Sequence, residues 1–147
     1  MKKLSLTLLA VAVTLAAAAG GISSAADLAA FAEAVNAGGD IAAWQDERGE
    51  VHLKADIDMG KVKRFARIAN FEGVFDGEDH AILNWKAAQP LFGYTAEGSE
   101  IADLTIDGTS KLTAKAIAAD EYVATLVGVC NGTLRNCSNM AAVTLDV

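Results

Sequence analysis

One pattern occurs three times in this chain: Ile82-Leu83-Asn84-Trp85, Ile101-Ala102-Asp103-Leu104 and Leu134-Arg135-Asn136-Cys137. Each copy has a large aliphatic residue, then any residue, then Asn or Asp, and then a large or buried residue type. Internal repetition is the signature of folds that stack similar units, and it outweighs local signals. The pattern therefore predicts stacked β units.

The spacing of the copies indicates which stacked fold to expect. A glycine turn precedes each copy, at Asp76-Gly77, Glu97-Gly98 and Asn131-Gly132. The first two copies begin 19 residues apart, at 82 and 101, and the third begins at 134. A step of about 20 residues suits one coil of a parallel β-helix better than a propeller blade or a helical repeat. We expect residues 109–121 to leave the stack as a loop or short helix.

Stacked coils would align the equivalent positions of the three copies. We expect one interior ladder of aliphatic side chains, formed by Ile82, Ile101 and Leu134. The polar positions would form a corner ladder, because short polar side chains bond their own backbone and tolerate left-handed conformations. The members of that corner ladder would be Asn84, Asp103 and Asn136.

Residues 1–26 have the three parts of a secretory signal peptide. Lys2 and Lys3 are followed by an uncharged apolar run over 4–19 and by the small residues Ser24-Ala25-Ala26. The run is shorter than the roughly 20 residues of a membrane-spanning helix. We therefore expect an exported protein, secreted or at the cell surface, with no membrane attachment after cleavage.

The remaining chain divides into a capping helix over residues 27–40 and β-helix coils over residues 41–147. Asp27 is a suitable N-cap, and Gly38-Gly39 ends the helix. The apolar stripe of this helix, which would cover the open end of the stack, consists of Leu28, Phe31, Ala32 and Val35. The alternation reaches Val147 without a turn, so we expect the first part of a longer solenoid, able to associate end to end.

Residues 50–59 alternate between polar and apolar types. This period of two predicts a half-buried strand. Its polar side, which includes His52, Asp56 and Asp58, would face solvent.

Several strings resemble those of bacterial surface proteins that carry the GLUG motif. Residues 71–82 are similar to the F-x-G-x-F-D-G-x-G-H-x-I string of such proteins, although Asp79 replaces the second glycine. Residues 126–137 resemble the GLUG motif itself, and Leu91-Phe92-Gly93-Tyr94 resembles its GLFGY variant. The resemblance implies an all-β fold, a right-handed parallel β-helix, in exported and often adhesin-like proteins.

Charge and cysteine content restrict the chemistry that the chain can perform. The net charge of −7 and the lack of a basic stripe argue against nucleic acid as a partner. No metal-ligand spacing, phosphate loop or nucleophile motif occurs, so we expect no metal, no cofactor and no catalytic residue. Export would permit a disulfide between Cys130 and Cys137, and two free thiols are the alternative.

The leading hypothesis is therefore a non-enzymatic, adhesin-like binding or structural module. The alternative is the N-terminal portion of a carbohydrate-active β-helix enzyme, either a polysaccharide lyase or a glycoside hydrolase, which would require Asp76, Asp79, Asp103 and Asp107 to converge. A glycan or a surface protein would be the partner. The residues proposed to contact it are the aromatic Tyr94 and the basic Lys61, Lys63 and Arg64.

Overall fold

The computed structural model describes residues 20–115 and 123–146. It contains one α-helix and fourteen short strands within these ranges, and every pairing between strands is parallel. The predicted class, mostly β with one helix, is confirmed. The predicted excursion over residues 109–121 lies partly outside the described residues, and strand β10 occupies part of it.

The helix α1 spans Ala25–Asn36, and a short 3-10 helix spans Ala42–Trp44. The strands are β1 (Val51–His52), β2 (Ile57–Asp58), β3 (Ile68–Phe71), β4 (Val74–Asp76), β5 (Ala81–Leu83), β6 (Lys86–Ala87), β7 (Phe92–Thr95), β8 (Glu100–Ala102), β9 (Thr105–Ile106), β10 (Lys111–Lys115), β11 (Val127–Cys130), β12 (Thr133–Arg135), β13 (Ser138–Asn139) and β14 (Ala142–Asp146).

The strands form four sheets, and each sheet takes its strands in chain order. The orders are β1-β4-β8-β12, β2-β5-β9-β13, β3-β7-β11 and β6-β10-β14. The chain therefore visits the same four sheets repeatedly. We call each round of strands a layer, so that β3–β6, β7–β10 and β11–β14 are three complete layers.

The register between layers corrects the predicted aliphatic ladder. Ile101 does pair with Leu134, but its other partner is Phe75. Ile82 pairs instead with Ile57 and Ile106, in a different sheet. The step from Ile82 to Ile106 is 24 residues, so the spacing of 19 joined two copies of the pattern that occupy different sheets.

The same shift applies to the predicted polar corner. Asn84, Asp103 and Asn136 all have a left-handed backbone, with φ of 54°, 50° and 50°. Asn136 donates to Asp103 across one layer boundary, at 2.7 Å. Asn84 donates to Asp58 instead, at 3.1 Å, at a separate corner. The residue type was predicted correctly for each corner, but the three residues do not form one ladder.

The core runs through all the layers that the structure describes. Buried aromatic rings from three elements meet at its centre: Phe31, Phe71, Phe75 and Phe92. The predicted helix stripe is confirmed, since Leu28, Phe31 and Ala32 are buried and Val35 packs against the core.

The start of the helix differs from the sequence expectation. Ser24, not Asp27, is the N-cap, and its hydroxyl accepts a hydrogen bond from the Asp27 N–H. Ile22 is fully buried and forms a parallel bridge with Leu53. The Ile22 N–H donates to the His52 carbonyl, and the Ile22 carbonyl accepts from the Lys54 N–H. A chain that began at Asp27 would therefore lack a core residue and the helix cap.

The predicted strand over residues 50–59 is two short strands, β1 and β2, with a bend between them. Its apolar residues Val51, Leu53, Ile57 and Met59 are buried, as predicted. His52 is also buried, which contradicts its expected exposure to solvent. The burial follows from the bridge of Ile22 to Leu53 beside it, because that bridge adds backbone over the side expected to face water.

Gly77 occupies the tightest described corner between layers. A Cβ atom there would collide with the backbone of Asp103 and Leu104, which cannot move without breaking the next layer. Gly108 has the same Asp-Gly context, yet a Cβ there would meet Met140 only at ordinary contact distances of 3.6 and 3.9 Å. The two glycines therefore have different structural requirements.

We predict that Gly77→Ala lowers the free energy of unfolding by about 1–3 kcal/mol, as overpacking of a close contact does. Gly108→Ala is the matched control and should change it by less than about 0.5 kcal/mol. Urea titration followed by circular dichroism measures both. Equal effects of the two substitutions would contradict the close approach of the layers at Gly77.

Candidate functional site

The predicted basic residues lie in the loop between β2 and β3, which covers one side of strand β6. Lys63, Arg64 and Arg67 line a cavity of about 220 Å³ together with Trp85 and Pro90. Lys61 lies at the other end of the loop, near the Asp58 carboxylate. The structure therefore gathers Lys63 and Arg64 at one place, with Lys61 to one side.

The aromatic candidates separate into one exposed and one buried ring. Tyr94 on β7 is 39% exposed, as predicted. Trp85 is only 5% exposed and packs edge-on against Phe65 of the basic loop. The cavity that Lys63 and Arg64 line contains Trp85 and not Tyr94, so Tyr94 belongs to a different part of the surface.

A second, larger groove adjoins the basic loop, and we call it the lysine groove. It has a volume of about 760 Å³, and its lining includes Lys86 on β6 and Lys111 on β10. Ala87 and Ala88 line both this groove and the cavity of the basic loop, so the two are continuous. The complete lining of the groove is Gly60, Asn84, Lys86, Ala87, Ala88, Thr109, Lys111 and Thr113.

The basic side chains divide into paired and unpaired groups. Arg48, Lys54 and Arg135 form ion pairs with carboxylates. Within residues 20–115 and 123–146, no carboxylate lies within 4.0 Å of the other basic groups, which are Lys61, Lys63, Arg64, Arg67, Lys86, Lys111 and Lys115. Most of the unpaired cations line the lysine groove or the adjoining cavity.

The carboxylates that an enzyme would need are engaged at their own turns. Asp76 accepts from the Glu78 N–H, and Asp107 accepts from the Thr109 N–H. Asp103 forms an ion pair with Arg135. These bonds stabilise tight turns, and they give no support to the alternative of a carbohydrate-active enzyme.

Sequence reasoning missed a cluster of titratable groups around His52. Its Nε2 lies 3.2 Å from Asp46 and 3.8 Å from Glu50, and its Nδ1 lies 2.9 Å from Glu78. Asp46, Glu50 and His52 could each offer one ligand atom to a cation. Arg48 already contacts both of these carboxylates, so the cluster carries its own counter-charge. We interpret it as a structural cluster that holds the turn over residues 46–50 against β1.

The two cysteines are free thiols in the structure. The Cys130 thiol points to the Gly132 carbonyl, and the Cys137 thiol points to the Ile101 and Arg135 carbonyls. Burial raises the pKa of the Cys137 thiol, which lowers its reactivity.

Comparisons with protein-family models, with curated proteins and with solved structures found no match to this chain. Among the described residues, no helix combines the length and the apolar character required to cross a membrane.

The Asp46 carboxylate makes the stability of the fold depend on pH. The N–H of Glu50 is the main cause that lowers its pKa from 3.8 to about 2, and the Arg48 N–H and His52 add to the effect. A carboxylate with a depressed pKa stabilises the folded state above its unfolded pKa. That contribution is lost as pH falls through the folded value.

We predict that Asp46→Asn destabilises the protein at neutral pH. The difference from the unsubstituted protein should shrink as pH falls from about 4 to about 2, because the native carboxylate becomes protonated in that window. Urea midpoints measured across this range test the prediction. Glu47→Gln, at an exposed position in the same turn, serves as the control. A gap between Asp46→Asn and the native protein that stays constant with pH would contradict the assigned role.

Proposed function

We propose that this chain is a non-enzymatic, exported β-helix module of an adhesin-like bacterial surface protein, and that its basic side binds an anionic glycan. The observation that carries the binding role is the segregation of unpaired cations. They collect beside the lysine groove although the chain as a whole is acidic, with a net charge of −7. A local positive surface of this kind concentrates anionic partners.

The order of the strands supports a β-helix. Four parallel sheets that each take one strand from every complete layer are what a coiled β chain would produce. The pairing of equivalent residues one layer apart, such as Ile82 with Ile57 and Ile106, supports the same arrangement. The motifs that resemble GLUG proteins lie on these strands, and they support assignment to that class.

The N-terminal sequence supports export, and the position of Ile22 refines the cleavage point. Because Ile22 is buried and Ser24 caps α1, cleavage upstream of Ile22 would preserve the fold. Ala17-Ala18-Ala19 provides small residues there. In this proposal the mature chain begins near Gly20 and not at Asp27.

The binding role is tested on protein recovered from the medium of bacteria that express the full sequence. We expect the mature chain to begin upstream of Ile22 and to bind an immobilised acidic polysaccharide, with little binding to neutral dextran. Lys63→Gln/Arg64→Gln should weaken binding, because it removes two unpaired cations. Arg48→Gln/Arg135→Gln removes the same charge from ion-paired positions and should weaken it less.

Two outcomes would count against the proposal. Protein retained in the cytoplasm would contradict export. Equal binding to acidic and neutral polysaccharides would contradict the role of the basic side.

A second proposal concerns self-association at the layer formed by β11–β14. Leu134 lies over the buried Ile101, and Val143 and Leu145 lie over the buried Leu112 and Ala114. These three side chains continue interior ladders, yet they are 44%, 52% and 46% exposed. The only charged residue on β14 is Asp146. We propose that a second copy covers this apolar end, since little charge there opposes the contact.

We predict that Val143→Lys shifts the protein toward a monomer in light scattering, because a charged side chain would enter the apolar end. Thr144→Lys is the matched control, since Thr144 pairs with the outward-facing Thr113. It should leave the assembly state closer to that of the native chain. A native chain that is already monomeric at every concentration would refute the proposed contact.

A further inference from the structure

The lysine groove contains a pair of like charges that packing alone does not explain. Lys86 and Lys111 are direct partners on the neighbouring strands β6 and β10. Neighbouring strands lie about 4.8 Å apart, and like charges directly opposite each other destabilise a sheet. Both lysines are exposed. The pair therefore costs stability unless an anion lies between or above the two ammonium groups.

The nearest carboxylates behind the groove are already engaged. Asp58 accepts from the Gly60 N–H and from the Asn84 amide. Asp107 accepts from the Thr109 N–H. These bonds, with the backbone N–H groups of Gly60 and Thr109 as the largest causes, lower the pKa of both carboxyl groups. The carboxylates are thus fixed in their own turns and form no ion pair with the lysines.

The rest of the groove suits a polar, extended ligand. Its floor includes Ala87, Ala88 and Gly60, which leave room for a ligand close to the backbone. Thr113 is exposed on β10, two residues after Lys111, and offers a hydroxyl group. The groove opens into the cavity that Lys63 and Arg64 line, so a long anion could continue from one pair of cations to the next.

We propose that the lysine groove is a subsite for an acidic polysaccharide, in which Lys86 and Lys111 bind two neighbouring anionic groups of the polymer. This inference rests on the proposed function and specifies its ligand. The anionic groups are carboxylates or sulfates, since an ammonium group pairs with either. Hydroxyl groups of the sugar would bond to Thr113.

The chemistry of the groove favours a glycan over a nucleic acid. Single-stranded nucleic acids bind by stacking bases on aromatic side chains. The lining residues of the lysine groove include no aromatic residue, and Trp85 in the adjoining cavity is almost fully buried. The overall negative charge also opposes a long phosphate backbone outside the groove.

The test compares single-charge variants on the same strand. Lys111→Gln removes a groove lysine, whereas Lys115→Gln removes an exposed lysine of β10 that does not line the groove. The probes are polygalacturonate for carboxylates, dextran sulfate for sulfates, neutral dextran and a single-stranded oligonucleotide. Dissociation constants are measured by calorimetry at two salt concentrations.

We expect Lys86→Gln/Lys111→Gln to bind the preferred acidic polysaccharide about tenfold more weakly, since two charge contacts are lost. Lys111→Gln should account for part of this loss, and Lys115→Gln should stay within about twofold of the native protein. Thermal unfolding should not fall in any of these variants, because the side chains are exposed. A preference for polygalacturonate or for dextran sulfate supports the inference and identifies the anionic group.

Three results would overturn the inference. If the native chain binds acidic polysaccharides but Lys111→Gln and Lys115→Gln behave alike, the groove is not the subsite and the proposed function survives. If the native chain binds neither polyanion, the proposed function fails as well. Tighter binding of the oligonucleotide than of either polysaccharide would replace the glycan with a nucleic acid.

Discussion

The register between parallel strands is the constraint on which the rest of this structure depends. Each buried side chain packs against the equivalent side chain of the next layer, as Phe75 does with Ile101 and Ile57 does with Ile82. A shift of one residue would exchange the interior and exterior faces of a strand. The apolar core, the tight corner at Gly77 and the alignment of surface residues therefore all follow from one set of pairings.

The corners between strands explain why the repeated pattern contains Asn or Asp. Asn84, Asp103 and Asn136 adopt left-handed backbones that most residue types avoid. Their side chains then join the corner to another layer, as in the bond from Asn136 to Asp103. The pattern thus reflects the geometry of the turns and does not mark a reactive centre. The engagement of Asp76 and Asp107 in turns of their own is consistent with this view.

Local sequence identified the kinds of structure well, but it could not identify long-range partners. The helix stripe, the exposed Tyr94 and the buried Trp85 follow from residue type and spacing alone, and all three are confirmed. The pairing of Ile82 with Ile106 could not be found in this way, because the same four-residue pattern occurs at corners of different sheets. Ile22 and His52 were misjudged for a related reason. Their burial depends on a bridge to Leu53 that joins distant parts of the chain.

The same limit applies to the candidate site, and it shows where surface information lies in this fold. The basic loop is a local run and was visible in the sequence, whereas Lys86 and Lys111 are 25 residues apart and become neighbours only through the register of β6 and β10. Inward positions are restricted by packing, so their residue types report mainly on the core. Outward positions such as Lys111 and Thr113 have no such restriction. An unfavourable pairing of charges at outward positions has no compensation within the described layers, and a bound anion is the simplest source of that compensation.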